Sequence, residues 1–394
     1  MENFNTEAKN PSKIKVFGVG GGGSNAVARM YTEGLQDVEL YIVNTDLQHL
    51  NSLPVPNKIP IGEGITKGLG AGSKPEIGEA AAKENIETIK EAMEGADMVF
   101  IAAGLGGGTG TGASPVIAQA AKELGILTVA VVTKPFDFEG PRRAKIAEEG
   151  LNKLKDVVDT YIVIHNQRLA TIAGKKFTFA EAFKLVDDIL YKAVKGITDI
   201  ILVPGLVNVD FADVKTIMEN GGKALIGVGA GKGENKVENA VLEATNSPLL
   251  DGTSIEGARR LLINLEVSPD LSYGDVEETV AQIKEKAHQD AHIIFGATLN
   301  MDLEDEIKIT VVATDFENEN DGKKIKVVER KPTETKQPKE NQPINRPEPK
   351  ATEKPRDNVS FDDFDLEELE NIPAYIRKRK GGNRWREFLT LQIL

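Results

Sequence analysis

Cysteine is absent from all 394 residues. This excludes disulfides and thiolate metal sites and agrees with a reducing cytoplasm without requiring one. The four histidines are scattered, so structural or surface roles are expected for each. No run reaches the roughly 18 apolar residues of a membrane span, and Met1 to Ser12 is polar, without the apolar core of a signal peptide. A cytosolic chain, in contact with membranes only peripherally, is expected. Basic charge is in deficit, with 48 Lys and Arg against 61 Asp and Glu and a net charge of −13. That argues against nucleic acid as a partner, because duplex binding depends on basic surface. A G-x-x-x-x-G-K-[ST] loop is also missing, which disfavours a Walker-type NTPase.

Glycine, by contrast, is plentiful, with 38 residues, and it clusters after apolar runs. Met98 to Ala103 predicts a strand that empties into Gly104-Leu-Gly-Gly-Gly-Thr-Gly-Thr-Gly112. Such a loop lets backbone N–H groups and the next helix N-terminus approach an anion, with Thr109 and Thr111 adding hydroxyls. Ile14 to Val19 predicts a first strand, followed by Gly20 to Gly23, Ser24, Asn25 and a helix. Gly18, Gly20 and Gly23 satisfy G-x-G-x-x-G, and Asp46 could supply the ribose-binding acid of a nicotinamide-dependent oxidoreductase. A third loop, Gly68-Leu-Gly-Ala-Gly72, counts against that reading. Three glycine loops suit a polyphosphate held from several sides better than one pyrophosphate on one helix.

Gly106 to Gly112 resembles the signature of the tubulin superfamily, and the motifs around it resemble its FtsZ branch of bacterial division GTPases. Lys15 to Asn25, Asn44-Thr-Asp46, Thr133-Lys-Pro-Phe136 with Phe138-Glu-Gly140, Asn208-Val-Asp-Phe-Ala-Asp213 and Ile372-Pro-Ala-Tyr-Ile-Arg377 occur in the family's order. The resemblance implies an α/β fold with a Rossmann-like GTP-binding domain on a mainly parallel sheet over 13–178. A long central helix over 179–203 and a smaller α/β polymerisation domain over 204–316 would follow. Periodicity agrees: apolar residues recur near 3.6 from Ala180 to Leu202. Strands are expected at Leu225 to Val228, Ala258 to Asn264, His292 to Ala297 and Lys308 to Ala313, with helices at Lys236 to Asn246 and Val276 to Gln289.

The same resemblance implies a GTP site. Gly20 to Gly23, Ser24, Asn25, Asn44, Asp46, Gly70, Ala71, Gly72, Gly104, Gly106 to Gly108, Thr109, Gly110, Thr111 and Gly112 would surround the phosphates and ribose. Ser73-Lys74 departs from the family pattern and leaves side-chain contacts there open. Glu139 and Arg143, read alone, form an i,i+4 surface pair; by resemblance they border the ribose and phosphates. Phe183 and Asp187 share a helix face and would meet guanine, the ring stacking and the carboxylate accepting from N1–H and the N2 amino group, with Asn166 as partner on the base edge. Adenine lacks that donor pair, so Asp187 would select GTP. Asp210 and Asp213, read alone, cap a helix. By resemblance they enter the next subunit's site with Asn208 and activate hydrolysis on head-to-tail assembly. No protein metal cage is expected; Mg2+ would be held through nucleotide oxygens and waters.

Residues 1–12 read as a flexible N-terminus. Between Glu317 and Asn358 stand six prolines, eleven Lys or Arg and nine Asp or Glu, a composition that cannot bury enough surface to offset its ordering entropy. Residues 317–358 are therefore expected to be a disordered linker. Hydrophobic residues return in 359–380, which by resemblance is a peptide for membrane-tethering adaptors and assembly regulators at the division site, strengthened by avidity along a filament. Residues 381–394 have no counterpart in the family pattern. An amphipathic membrane-surface segment, an extra partner motif and a tail without function remain open. Two rival functions stay beside the division GTPase: the oxidoreductase above, and a tubulin-like shape or partition filament of low turnover.

Overall fold

The computed structural model describes residues 12–173, 178–246 and 255–316. The linker 317–358, the peptide 359–380, the extension 381–394 and residues 1–11 lie outside the described residues.

In chain order the first half runs β1 (Ile14–Val19), α1 (Gly20–Thr32), β2 (Val38–Asn44), α2 (Leu47–Ser52), β3 (Asn57–Pro60), α3 (Glu63–Thr66), α4 (Pro75–Glu84), α5 (Ile86–Met93), β4 (Met98–Gly104), α6 (Thr109–Glu123), β5 (Leu127–Lys134), α7 (Pro141–Lys155), β6 (Thr160–His165) and α8 (Asn166–Ala173). Strands β1 to β6 pair only in parallel, in the order β3-β2-β1-β4-β5-β6. Their continuous apolar runs follow from burial on both faces. In β4, Met98, Phe100 and Ala102 enter one core while Val99, Ile101 and Ala103 enter the other. Strand order reverses between β1 and β4, and an open α/β sheet binds ligands at the carboxyl ends of its strands at such a point.

The central helix α9 (Phe179–Leu202) is started by a capping box in which Thr178 and Glu181 bond reciprocally. Its cap at Val203 is followed by Pro204, which cannot continue the hydrogen-bond ladder. Val186, Ile189, Leu190, Ala193, Val194, Ile197 and Ile200 form its buried stripe. That stripe shares one core with Ile226, Leu262 and Val312 of the following segments. Each large aliphatic chain buried there contributes about 1.5–3 kcal/mol of transfer free energy.

The second half comprises α10 (Phe211–Met218), β7 (Gly222–Lys232), α11 (Lys236–Thr245), β8 (Ala258–Val267), α12 (Tyr273–Lys286), β9 (His292–Leu299) and β10 (Glu306–Phe316). Strand β7 begins alongside β6, with Thr160 opposite Gly222 and Ile162 opposite Ala224. It then pairs antiparallel with β10, which pairs with β8, and β8 carries β9 in parallel. One hydrogen-bonded sheet therefore runs from β3 to β9. The strand expected at Leu225 to Val228 is longer at both ends. Gly227, Gly229 and Gly231 lie on the face covered by α11, where an added Cβ would come within 1.8 Å of Ala244 O, 2.2 Å of Ala240 O and 1.8 Å of Lys236 O. The alternating glycines bring a helix close to a strand.

Candidate functional site

A cavity of about 670 Å³ opens at the carboxyl ends of β1, β2, β4, β5 and β6. Its volume lies in the range of sites for nucleotide-sized ligands. All three glycine loops reach it. Gly21, Gly22 and Asn25 come from the first turns of α1, Gly70, Ala71 and Gly72 from the loop before α4, and Gly104, Gly107, Gly108, Thr109 and Gly110 from the loop into α6.

Two helix N-termini converge here because glycine permits it. A Cβ on Gly20, whose φ is +70°, would lie 2.6 Å from Gly110 N, and one on Gly110 would lie 2.6 Å from Gly104 O. Helices α1 and α6 thus abut at their first turns, with free N–H groups and positive dipole ends facing the same space. Gly21, Gly72 and Gly107 have nothing within 4 Å of an added Cβ, so at these positions the backbone faces open space. Thr109 lines the cavity, and its hydroxyl shares a buried 2.6 Å hydrogen bond with that of Thr45.

Six of the expected residues lie behind this surface. Gly20 packs on Gly110, and Gly23 packs on β4, where a Cβ would lie 2.1 Å from Ala102 O. Ser24 is buried and donates to Gly18 O. Gly112 presses on α4, with a Cβ only 1.9 Å from Pro75 O, and Gly106, at φ +101°, passes Arg143 O. Thr111, expected to face the anion, turns its hydroxyl back to accept the Gly106 N–H at 2.9 Å. These residues shape the loop from within.

At the other end of the cavity stand Asn166, Phe183, Val186, Asp187 and Leu190. Phe183 is partly exposed and touches Phe136 edge-on at 5.2 Å and Phe179 at 5.0 Å. Asp187 is half-buried; burial and then the Asp188 charge raise its carboxyl to about 7, against the pull of Arg29. Asn166 is buried, and its Oδ1 has no hydrogen-bond partner. An orphaned acceptor and a carboxyl poised to ionise, beside an aromatic ring, fit a flat ligand that presents N–H donors. Glu139 and Arg143 flank the mouth, paired with each other, and Glu139 also accepts the Phe136 N–H at 2.9 Å.

Asn44 and Asp46 line the cavity beside residues that composition alone did not single out: Thr45, His49, Leu69, Ser73, Leu105, Thr133 and Pro135. Asp46 caps α2 by accepting the His49 N–H at 3.0 Å. Ser73 holds a left-handed φ of 58°. Asn208, Asp210 and Asp213 are exposed and are not among the lining residues. Asn208 Oδ1 accepts the Gly205 N–H at 2.7 Å, and Asp210 caps α10 by accepting the Asp213 N–H at 2.9 Å. Among the described residues no group of three or more His, Asp or Glu could hold a metal ion, and no helix is long and apolar enough to cross a membrane.

Known proteins resemble this chain in sequence and in fold. Residues 13–174 match the model of the Tubulin/FtsZ family GTPase domain, and residues 222–317 match that of the FtsZ family C-terminal domain. The chain is 54% identical over 313 residues to the cell division protein FtsZ of Aquifex aeolicus, covering 79% of this chain and 85% of that one. An FtsZ dimer from M. jannaschii superposes with a TM-score of 0.74 at 46% identity, covering 78% of this chain and 89% of its own. CetZ2 from Haloferax volcanii, solved as a GTPγS-bound protofilament, superposes at 0.65 with 23% identity over 77% of this chain and 93% of its own, a likeness of fold.

Proposed function

Because the chain belongs to the FtsZ family of tubulin-like cell division GTPases, we propose that its GTP site is the cavity at the β1/β4 switch point and that each site is completed by a neighbouring subunit. The protein binds GTP and GDP and hydrolyses GTP. The family match sets the oxidoreductase reading aside.

The observation that carries the proposal is a division of labour. All three glycine loops and the Asn166, Phe183 and Asp187 end meet in one cavity, whereas the exposed acids Asp210 and Asp213 lie outside its lining. The N-termini of α1 and α6 and the glycine backbone hold the phosphates, as oriented dipoles hold anions. Arg143 leaves Glu139 for phosphate oxygens, and Glu139 accepts a ribose hydroxyl. Phe183 stacks on guanine, Asp187 accepts from N1–H and the N2 amino group, and Asn166 Oδ1 gains its missing donor on the base edge. Mg2+ would be held through nucleotide oxygens and waters rather than by a cage of side chains, and would neutralise charge developing on the phosphates.

Asp210 and Asp213, with Asn208, reach the γ-phosphate of the next subunit and orient the attacking water. Two carboxylates fixed permanently beside a triphosphate would repel it, whereas delivery by assembly defers that repulsion until subunit contacts offset it. The relative from M. jannaschii, solved as an FtsZ dimer, supports self-association. A head-to-tail contact that does not close makes a filament, and a filament at the inner face of the membrane forms the division ring. The segment 13–178 serves as nucleotide domain, 179–203 as connecting helix and 204–316 as the polymer-activating domain. The sequence 359–380 gives adaptors and regulators a repeated docking peptide.

The test follows phosphate release and light scattering together as protein concentration rises. Specific activity should climb as polymer appears. Activity that stays flat through assembly overturns the shared site.

A further inference from the structure

His49 sits on α2 within the cavity lining, between two asparagines that also line it. Its Nδ1 lies 3.2 Å from Asn44 Nδ2, and its Nε2 lies 2.9 Å from Asn25 Oδ1. At the far end of this chain, the backbone N–H of Asp46 reaches Asn44 Oδ1 at 3.3 Å. A backbone N–H can only donate, so it fixes the Asn44 oxygen as acceptor and turns the Asn44 NH2 toward His49. His49 Nδ1 must then accept, which leaves the ring proton on Nε2. That proton is given to Asn25 Oδ1, which occupies the amide oxygen. The Asn25 NH2 remains as a donor beside Gly21 and Gly22.

We infer that His49 is a positioning residue that orients the Asn25 amide to donate to an acceptor oxygen of the nucleotide. The inference rests on reading this cavity as the guanine-nucleotide site. Each link has one permitted polarity, set from Asp46 N–H at one end, so removing the imidazole leaves Asn44 fixed and frees the Asn25 amide to flip. Asn25 is exposed at the first turns of α1, and a flipped Asn25 would turn its oxygen toward an anionic ligand. Glutamine at position 49 keeps one acceptor and one donor on a flexible stem and can restore both links.

The experiment compares the full chain with His49→Ala and His49→Gln by GDP titration calorimetry and GTP turnover, with the His49 ring followed by 15N NMR. His49→Ala should weaken GDP binding about tenfold, the scale of one hydrogen bond, and raise KM with kcat little changed. His49→Gln should stay within about threefold of the parent. The ligand-free parent should show the neutral Nε2–H tautomer. Equal affinity in all three proteins, equal weakening in both variants, or an Nδ1–H tautomer would each overturn the relay. A parent that binds no guanine nucleotide would instead refute the cavity's assignment, while the tautomer still tests the relay by itself.

Discussion

Arg29 Nε donates to Asp188 Oδ1 over 2.7 Å, joining the helix that begins at the phosphate loops to the helix that carries Asp187. Arg29 also holds Glu33 at 2.8 Å. The Arg29–Asp188 partners are 29% and 28% exposed, so the pair contributes at most about 1 kcal/mol to stability. Its larger effect is electrical, because Arg29 opposes the forces that raise the Asp187 carboxyl.

Arg29→Ala should therefore shift the pH dependence of GDP binding upward while lowering stability by about 1 kcal/mol or less. The check is GDP affinity measured across about pH 5 to pH 8, beside urea unfolding of the empty protein. A midpoint that stays in place would show that Arg29 does not act on Asp187.

Asp187 itself supplies a sharper pH prediction. With its carboxyl raised to about 7, the empty protein holds a proton there that guanine must displace, since only the ionised group accepts both donors. Below that pH, GDP binding should release about one proton and weaken about tenfold for each further pH unit. In the empty protein, the raised value means that the folded state binds more protons than the unfolded state between about pH 4 and pH 7. The carboxyl's contribution is thus intact below its unfolded value and lost as pH rises through about 7. Asp187→Asn should abolish both dependences, weaken GDP binding about tenfold or more and erode the preference over ADP. Calorimetry in buffers of different ionisation enthalpy counts the proton directly.

Two glycines of the same site should fail in different ways. Gly23→Ala drives a methyl to 2.1 Å from Ala102 O and should cost more than about 2 kcal/mol of stability. Gly107→Ala meets no atom within 4 Å, so stability should change by less than about 0.5 kcal/mol while nucleotide affinity falls. Thermal unfolding with and without GDP separates the two outcomes.

Asp213→Asn should leave GDP affinity unchanged and reduce polymer-dependent turnover by on the order of a hundredfold. Asp210→Ala should additionally lose the α10 cap, about 1 kcal/mol, whereas Asp210→Asn keeps that bond. Mixing Asp213→Asn subunits with parent subunits tests sharing: turnover should fall in proportion to the mixed contacts. Unaltered turnover in either single variant would remove that acid from the chemistry.

Much of this molecule was legible because burial leaves a simple trace. The run Met98 to Ala103 reads as a strand since both of its faces meet apolar cores, and the stripe of α9 reads as a helix since one of its faces does. Two glycine loops that follow strands, and a third that follows α3, all reach the cavity. The far end of β7 was not legible, because Gly229 and Gly231 carry no apolar signal and owe their place to α11. Nor was the inward turn of Thr111, which depends on the Gly106 N–H rather than on residue type. The bonds of His49 to Asn25 and of Arg29 to Asp188 join residues 24 and 159 positions apart, and no local pattern encodes such meetings.

The contact of Gly20 with Gly110 sets two positive helix ends against each other like matching poles of two magnets. An empty site keeps that repulsion, and a polyphosphate relieves it. The nucleotide is then a missing piece of the fold as much as fuel, and depletion should loosen the loops at α1 and α6 before any other part of the sheet.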